Sequence, residues 1–235
     1  MLNAVLDLNA PACVFDFLLS RNVNIIKTIQ HRHLDNAVSS HPDMLLHQIN
    51  EKTFVCEPSC YAYFRQQFDS KINLIQGSTH LQLKYPHNIA YNIARVSDIA
   101  FGKLDYADNT ITEYYKNNGI KLINVNQGYA KCNTCIVSDN AIITSDPSIA
   151  RALCNCLDVL HIAEGHIALK PYDHGFIGGA TGLISKNELL ISGSLKHHPS
   201  VKTIYDFLNK HNVTPIEASE DIPADIGSVL FFNTD

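Results

Sequence analysis

The feature that most constrains this chain is a repeat of about 45 residues. His41, His87, Cys132, Phe176 and Asp225 mark it, standing 46, 45, 44 and 49 residues apart. A period of 20–50 residues signals one supersecondary unit used several times over. Each interval has the same grammar: two short strands, a helix and a closing strand. The first unit predicts strands over 43–49 and 53–56, a helix over 58–68 and a strand over 72–75. The second predicts 89–94 and 99–102, a helix over 110–117 ended by Asn118-Gly119, and a strand over 121–125. The third predicts 134–137 and 141–144, a helix over 148–156 opened by Ser145-Asp146-Pro147, and a strand over 159–162. The fourth predicts 182–184 and 189–192, a helix over 199–211 with Val201, Ile204, Tyr205 and Leu208 on one face, and a strand over 213–216.

The fifth unit has only one strand, 228–232, before the chain stops. Its missing parts stand at the other end: a strand over 4–8, a helix over 11–20 and a strand over 23–28. The N-terminal segment therefore completes the fifth unit and closes a ring, as repeat folds with few exposed edges commonly do. Two strands before each helix argue against an ordinary doubly wound α/β sheet, which uses one strand per helix. The predicted class is α/β: five ββαβ units forming one domain over 1–235. The units run over 41–84, 85–127, 128–172, 173–221, and 222–235 with 1–40.

Composition narrows the partners. A formal net charge of −5 argues against nucleic acid and anionic membranes, which call for a basic face. The opening MLNAVLDLNAPACVFDFLLSRN has no basic n-region and is broken by Pro11 and Asp16, so it reads as strand and helix rather than a signal peptide. No apolar run approaches the ~18 residues of a membrane span. Seven cysteines lack framework spacing and read as reduced thiols, placing the chain in the cytoplasm as a monomer or weak homodimer.

The marks lie in short motifs: HPDM at 41–44, YPHNI at 85–89, GYAKCNTCIV at 128–137, HGFIG at 174–178 and PADIG at 223–227. In a ring, the starts of the inner strands converge, so residues distant in sequence share a central cavity. Cys132 is either a nucleophile there or a small buried residue. Cys135, three residues on, faces the core. Cys132 and Cys135 with Cys154 and Cys156 make an alternative zinc set, although their flanks read as strand and helix rather than knuckle turns. His41-Pro-Asp43 either carries chemistry or caps a strand start, and Asp225 either anchors a ligand or caps a turn. His87 and Asn88 open unit two and are candidates for the cavity lining. Asp173-His174-Gly175 forms a turn presenting His174 at the cavity mouth. Gly178-Gly179 lacks a dinucleotide-site context and marks close backbone approach. His197 and His198 precede a helix and are expected to be exposed.

Five ββαβ units about a pseudo-five-fold axis resemble the pentein fold, the α/β propeller of the guanidino-group-modifying enzymes. That superfamily spans deiminases, dimethylarginine dimethylaminohydrolase, amidinotransferases and a non-catalytic ribosome anti-association factor. HPDM, GYAKCNTCIV and DHGFIGGATG also resemble a clostridial-type family of uncharacterised proteins with this fold. The resemblance implies a His-x-Asp start at His41 and Asp43, and a nucleophile at Cys132 in a Cys-x-Thr context. The two stand 91 residues, or two repeats, apart in a circularly permuted order. It places the family's strand-start carboxylate on Asp225. It finds no carboxylate across 176–180, where the family often has one, leaving Asp173 or Glu217 as substitutes.

The implied activity is that of a Cys-dependent amidinohydrolase, deiminase or amidinotransferase on a small cationic guanidine or amidine. It would run through a covalent thioether and without metal or organic cofactor. Catalysis would fall to Cys132, His41 and Asp43. Substrate contacts would fall to Asp225, Asp173, His174, Lys131, Asn133, His87, Asn88 and Phe176, with Lys131 and His41 giving the thiol its thiolate character. The alternative is a non-catalytic ring of the same fold that binds a macromolecule or small ligand.

Overall fold

The computed structural model describes residues 1–234. It contains five three-stranded sheets, each with an antiparallel pair followed by a parallel one. In chain order the N-terminal segment gives β1 (Leu2–Leu6), α1 (Ala12–Ser20) and β2 (Asn24–Lys27). Unit one gives α2 (Pro42–Leu45), β3 (Leu46–Asn50), β4 (Thr53–Cys56), α3 (Tyr61–Gln67) and β5 (Asn73–Gln76). Unit two gives β6 (Ala94–Val96), β7 (Ile99–Gly102), α4 (Asn109–Asn117) and β8 (Lys121–Asn124). Unit three gives α5 (Ala130–Asn133), β9 (Thr134–Ser138), β10 (Ala141–Thr144), α6 (Pro147–Leu153) and β11 (Asp158–His161). Unit four gives β12 (Thr181–Ser185), β13 (Glu188–Ile191), α7 (Val201–Lys210) and β14 (Thr214–Glu217), and the last strand is β15 (Leu230–Asn233).

The ring closes as the repeat requires. β15 pairs antiparallel with β1, with Ala4 opposite Phe231, and β1 pairs parallel with β2, so the two ends of the chain share one sheet. The core is divided into wedges between neighbouring sheets. One apolar cluster joins unit two to unit three through Phe101, Val125, Ile142 and Ile149. Another joins units three and four through Val137, Ile143, Leu189 and Ile204. Leu190 packs with Leu6, Val14 and Phe231 at the seam between units four and five. In the largest cluster Phe54 stacks on Phe68 at 5.0 Å and meets Phe232 edge-on at 5.2 Å, sealing unit one against the closing sheet.

In units one to three the helical segment starts on a carboxylate placed after the second strand. Glu57 accepts from the Ser59 and Cys60 amides, Asp108 from Thr110, and Asp146 from Ser148 and Ile149, satisfying amides that helix starts leave unpaired. Asp7 holds the corresponding position after β1, accepting from the Asn9 amide and the Ser40 hydroxyl.

Three expectations need correction. The chain enters β3 and β9 through single helical turns, α2 and α5, so 43–45 are not strand. In unit two the strand begins only at Ala94, because 88–92 turn back on themselves with the Asn92 amide donating to the Ile89 carbonyl. Sequence periodicity registers the apolar residues but not these polar turns, and the turns are what present side chains to the axis. His198, expected at the surface, is buried, its Nδ1 accepting from the Ser200 amide.

Candidate functional site

The helical turns bring His41, Asp43 and Cys132 together at the centre of the ring. A side-chain ligand atom from each lies within 4.8 Å of the other two, and all three residues are buried. Cys132 Sγ donates to Asp43 Oδ2 at 3.0 Å. Asn92 Nδ2 donates to the same sulfur at 3.1 Å, while Asn92 Oδ1 accepts from the Lys131 and Cys132 amides and so fixes the α5 turn. Asp43 Oδ2 also accepts from Ser228 Oγ at 2.9 Å; Asp43 Oδ1 has no hydrogen-bond partner among the described residues.

His41 stands between two carboxylates. Its Nε2 lies 3.6 Å from Asp7 Oδ2 and its Nδ1 3.7 Å from Asp225 Oδ1. Asp225 is held in turn by the Phe176 amide at 2.9 Å and the Gly227 amide at 3.0 Å. Asp225 thus reaches across from unit five onto the Phe176–Gly179 turn of unit four, which has no carboxylate of its own over 176–180. Glycine is required on both sides of that contact. A Cβ at Gly179 would overlap the Asp225 carboxylate, and one at Gly227, whose φ is +66°, would overlap His41.

Burial pushes the Cys132 thiol well above its ordinary value, and the charges of Asp43 and Asp225 push it the same way against the opposing hydrogen bond from Asn92. Burial likewise raises Asp225, outweighing the attraction of His41. Both shifts favour the neutral form, the thiol of Cys132 and the carboxyl of Asp225.

A cavity of about 490 Å³ opens above the sulfur. Of the sequence candidates, Cys132, His41, Asp225, Asn88, His174 and Phe176 line it. Asp43 lies behind the thiol and borders a second cavity at the opposite end of the axis, with Lys131, Arg95 and His47. Lys131 belongs there because its ammonium donates to Ser228 Oγ at 2.8 Å, so it does not serve the thiol as expected. Asn133 is buried beside β9, with Oδ1 accepting from Ser145 Oγ, and lines neither cavity. His87 is exposed and packs edge-on against Tyr106, and Asp173 is exposed, with neither lining the cavity. Cys135 is in the unit three–four core, and Cys154 and Cys156 are exposed, so the four cysteines do not form a zinc set.

Asp7, Asn92, Tyr129 and Ser228 are the residues that sequence reasoning missed. Asp7 had a signal, since it occupies the carboxylate cap position of its unit. Tyr129 lies inside the 128–137 motif. Asn92 and Ser228 follow unit-opening motifs by a few residues and had no distinguishing chemistry.

The fold is shared with solved guanidino-group enzymes at low identity. The chain aligns with agmatine deiminase from C. jejuni at TM-score 0.56 and 10% identity, covering 93% of this chain and 87% of that one. It aligns with inosamine-phosphate amidinotransferase from Streptomyces griseus at 0.55 and 8%, covering 89% and 73%. With a dimethylarginine dimethylaminohydrolase the values are 0.54 and 7%, covering 93% and 92%. No curated protein matches the sequence. No helix among the described residues is long and apolar enough to cross a membrane. The sequence matches the Family of unknown function (DUF6873) over residues 5–230, so the chain belongs to that family, on a pentein fold.

Proposed function

We propose that the protein acts on the amidino carbon of a small guanidine or amidine, with Cys132 as nucleophile. The observation that carries this reading is the convergence of Cys132 with His41 and Asp43 within 4.8 Å, at the foot of a cavity that Asp225 also lines. Asp225, which lines the cavity, would pair the cation's N–H groups. Its positive charge would offset the carboxylates that hold the thiol neutral, so the Sγ proton leaves toward Asp43 Oδ2 once substrate is bound. Sγ then bonds to the central carbon, the C–N bond breaks, and the amine departs with a proton from His41. Water gives a proton back to His41 and attacks the thioether carbon, expelling the thiolate, which takes its own proton back from Asp43. One water is consumed, and a ureido or amide product and an amine are formed. An acceptor amine in place of water would make the reaction an amidine transfer.

The raised thiol favours a second reading, a ring that binds the cation without reacting. One experiment separates them: incubation with a haloacetamidine, cationic and amidine-shaped, beside the neutral haloacetamide, with the modified residue found by mass spectrometry. Faster labelling of Cys132 by the cation, lost in His41→Ala, supports catalysis. A thiol equally inert to both sinks it.

A further inference from the structure

The cavity above Cys132 carries carboxylates at both ends and no lysine or arginine on its lining. Asp225 stands at the foot and Asp35 at the rim, where it lies beside Tyr172. Lys103, which bonds the hydroxyl of the lining residue Tyr85 at 3.0 Å, is not itself a lining residue. Lys131 is committed to Ser228 on the opposite cavity. A substrate carboxylate entering here would meet Asp225 and Asp35 with no lysine or arginine to offset them, and His41 is already set between Asp7 and Asp225, so its lost hydration is not recovered.

Between the two ends the walls are flat and apolar. Tyr129 stacks on Phe176 at 6.3 Å with 29° between the planes, and Tyr85 lies 5.9 Å from Tyr129. The Tyr129 ring is fixed because its hydroxyl accepts from Asn88 Nδ2 at 2.9 Å. Leu83 and Leu169 complete the walls. Such surfaces hold planar apolar groups by area burial and stacking.

We infer that the substrate is an amidine or guanidine bearing an uncharged aromatic or bulky apolar substituent and no carboxylate, selected by Tyr129 and Phe176. This rests on the Cys132 reading for its chemistry, while the selection itself is a matter of binding.

The test uses full-length Cys132→Ser protein and calorimetry with N-benzylguanidine, guanidinium chloride and arginine. N-benzylguanidine should bind at least about tenfold tighter than guanidinium, and arginine no tighter than guanidinium. Tyr129→Leu should weaken N-benzylguanidine about three- to tenfold and leave guanidinium unchanged. Leu83→Arg, at a residue 60% exposed and so tolerant of change, should tighten arginine alone. Arginine binding as tightly as N-benzylguanidine, or indifference to Tyr129→Leu, overturns the inference. Wild-type protein separates the two levels. If the binding order holds but neither benzylurea with ammonia nor benzylamine with urea appears, the catalytic reading fails and the selectivity stands. Turnover of arginine upholds the chemistry and overturns the selectivity.

Discussion

Two buried histidines six residues apart face opposite ends of the same axis. His41 ends the approach to α2 with a carboxylate near each ring nitrogen, Asp7 on one side and Asp225 on the other. His47 lies on β3, where Nε2 meets the Tyr115 hydroxyl at 2.6 Å and the charges nearby are Arg95 and Lys131. Burial, reinforced by those two cations, pushes His47 down to about 3. The same residue type at the same depth is thus set against anions at one end and cations at the other. The axis has a polarity, and only the anionic end meets a thiol.

The largest expected effect separates the two histidines directly. His41→Ala should slow labelling of Cys132 by a haloacetamidine about 10–10³-fold, because Asp7 and Asp225 lose the imidazole between them and bear more strongly on the thiol. His47→Ala should leave the labelling rate within about threefold. Equal losses in the two variants would mean that His41 is structural.

A second contrast lies within one motif. Cys132 and Cys135 are both buried, and burial pushes Cys135 up to about 11. Near Cys132 two carboxylates add to burial, whereas Cys135 packs among Val137, Ile143 and Ala180. A cationic probe should therefore outpace a neutral one at Cys132 by about tenfold or more, and show no preference at Cys135. Loss of that difference would remove the electrostatic basis for cation-triggered ionisation.

These contrasts also mark what the sequence could tell. The five-fold repeat was legible because every sheet buries a largely apolar second strand of nearly fixed length: 53–56, 99–102 and 141–144 were located to the residue. The termini could be joined because a lone β15 had no partner except β1. His41, Asp43, Cys132 and Asp225 could be placed together from ring order combined with the family resemblance of their motifs. The direction of the Lys131 side chain could not, because α5 is a helical turn rather than the start of a strand, and that turn separates Lys131 from Cys132 at the axis. Nor could the crossing of Asp225 into unit four, which depends on the missing Cβ of Gly179 and not on any charge pattern.

Stability against pH should report on the cationic end. His47 is depressed when folded, so its contribution is fully present above the unfolded value of roughly 6.5 and is lost as pH falls toward about 3. His47→Gln should therefore unfold with a shallower acid limb between those values, by on the order of 1–3 kcal/mol by pH 4. Glu57 shares the sign. Burial raises it, but the His31 imidazole 3.4 Å away and hydrogen bonds from Ser59 outweigh burial and bring it down to about 2. Its stabilisation is present above roughly 4.3 and lost below, so Glu57→Gln should flatten a more acidic part of the same curve. Denaturant titrations at successive pH values would resolve the two; a single superimposable limb for both variants would contradict the assignment.

The smallest effect tests how far the two ends of the axis are insulated. Lys131 Nζ donates to Ser228 Oγ at 2.8 Å, Ser228 is bonded to Asp43 Oδ2 at 2.9 Å, and that oxygen accepts from the Cys132 thiol at 3.0 Å. The ammonium is thus two hydrogen bonds from the carboxylate that governs the sulfur, and three from the sulfur. Ser228 also bonds the Gly178 carbonyl at 2.9 Å, so it keeps an anchor without the lysine. Lys131→Gln should accordingly slow labelling of Cys132 by the neutral haloacetamide by only about threefold, an effect that diminishes with added salt. A fall of a hundredfold would show instead that the cation reaches the nucleophile through Ser228 and Asp43. The two ends would then form one electrostatic unit, and Lys131 would rank with His41 among the groups that set the thiol.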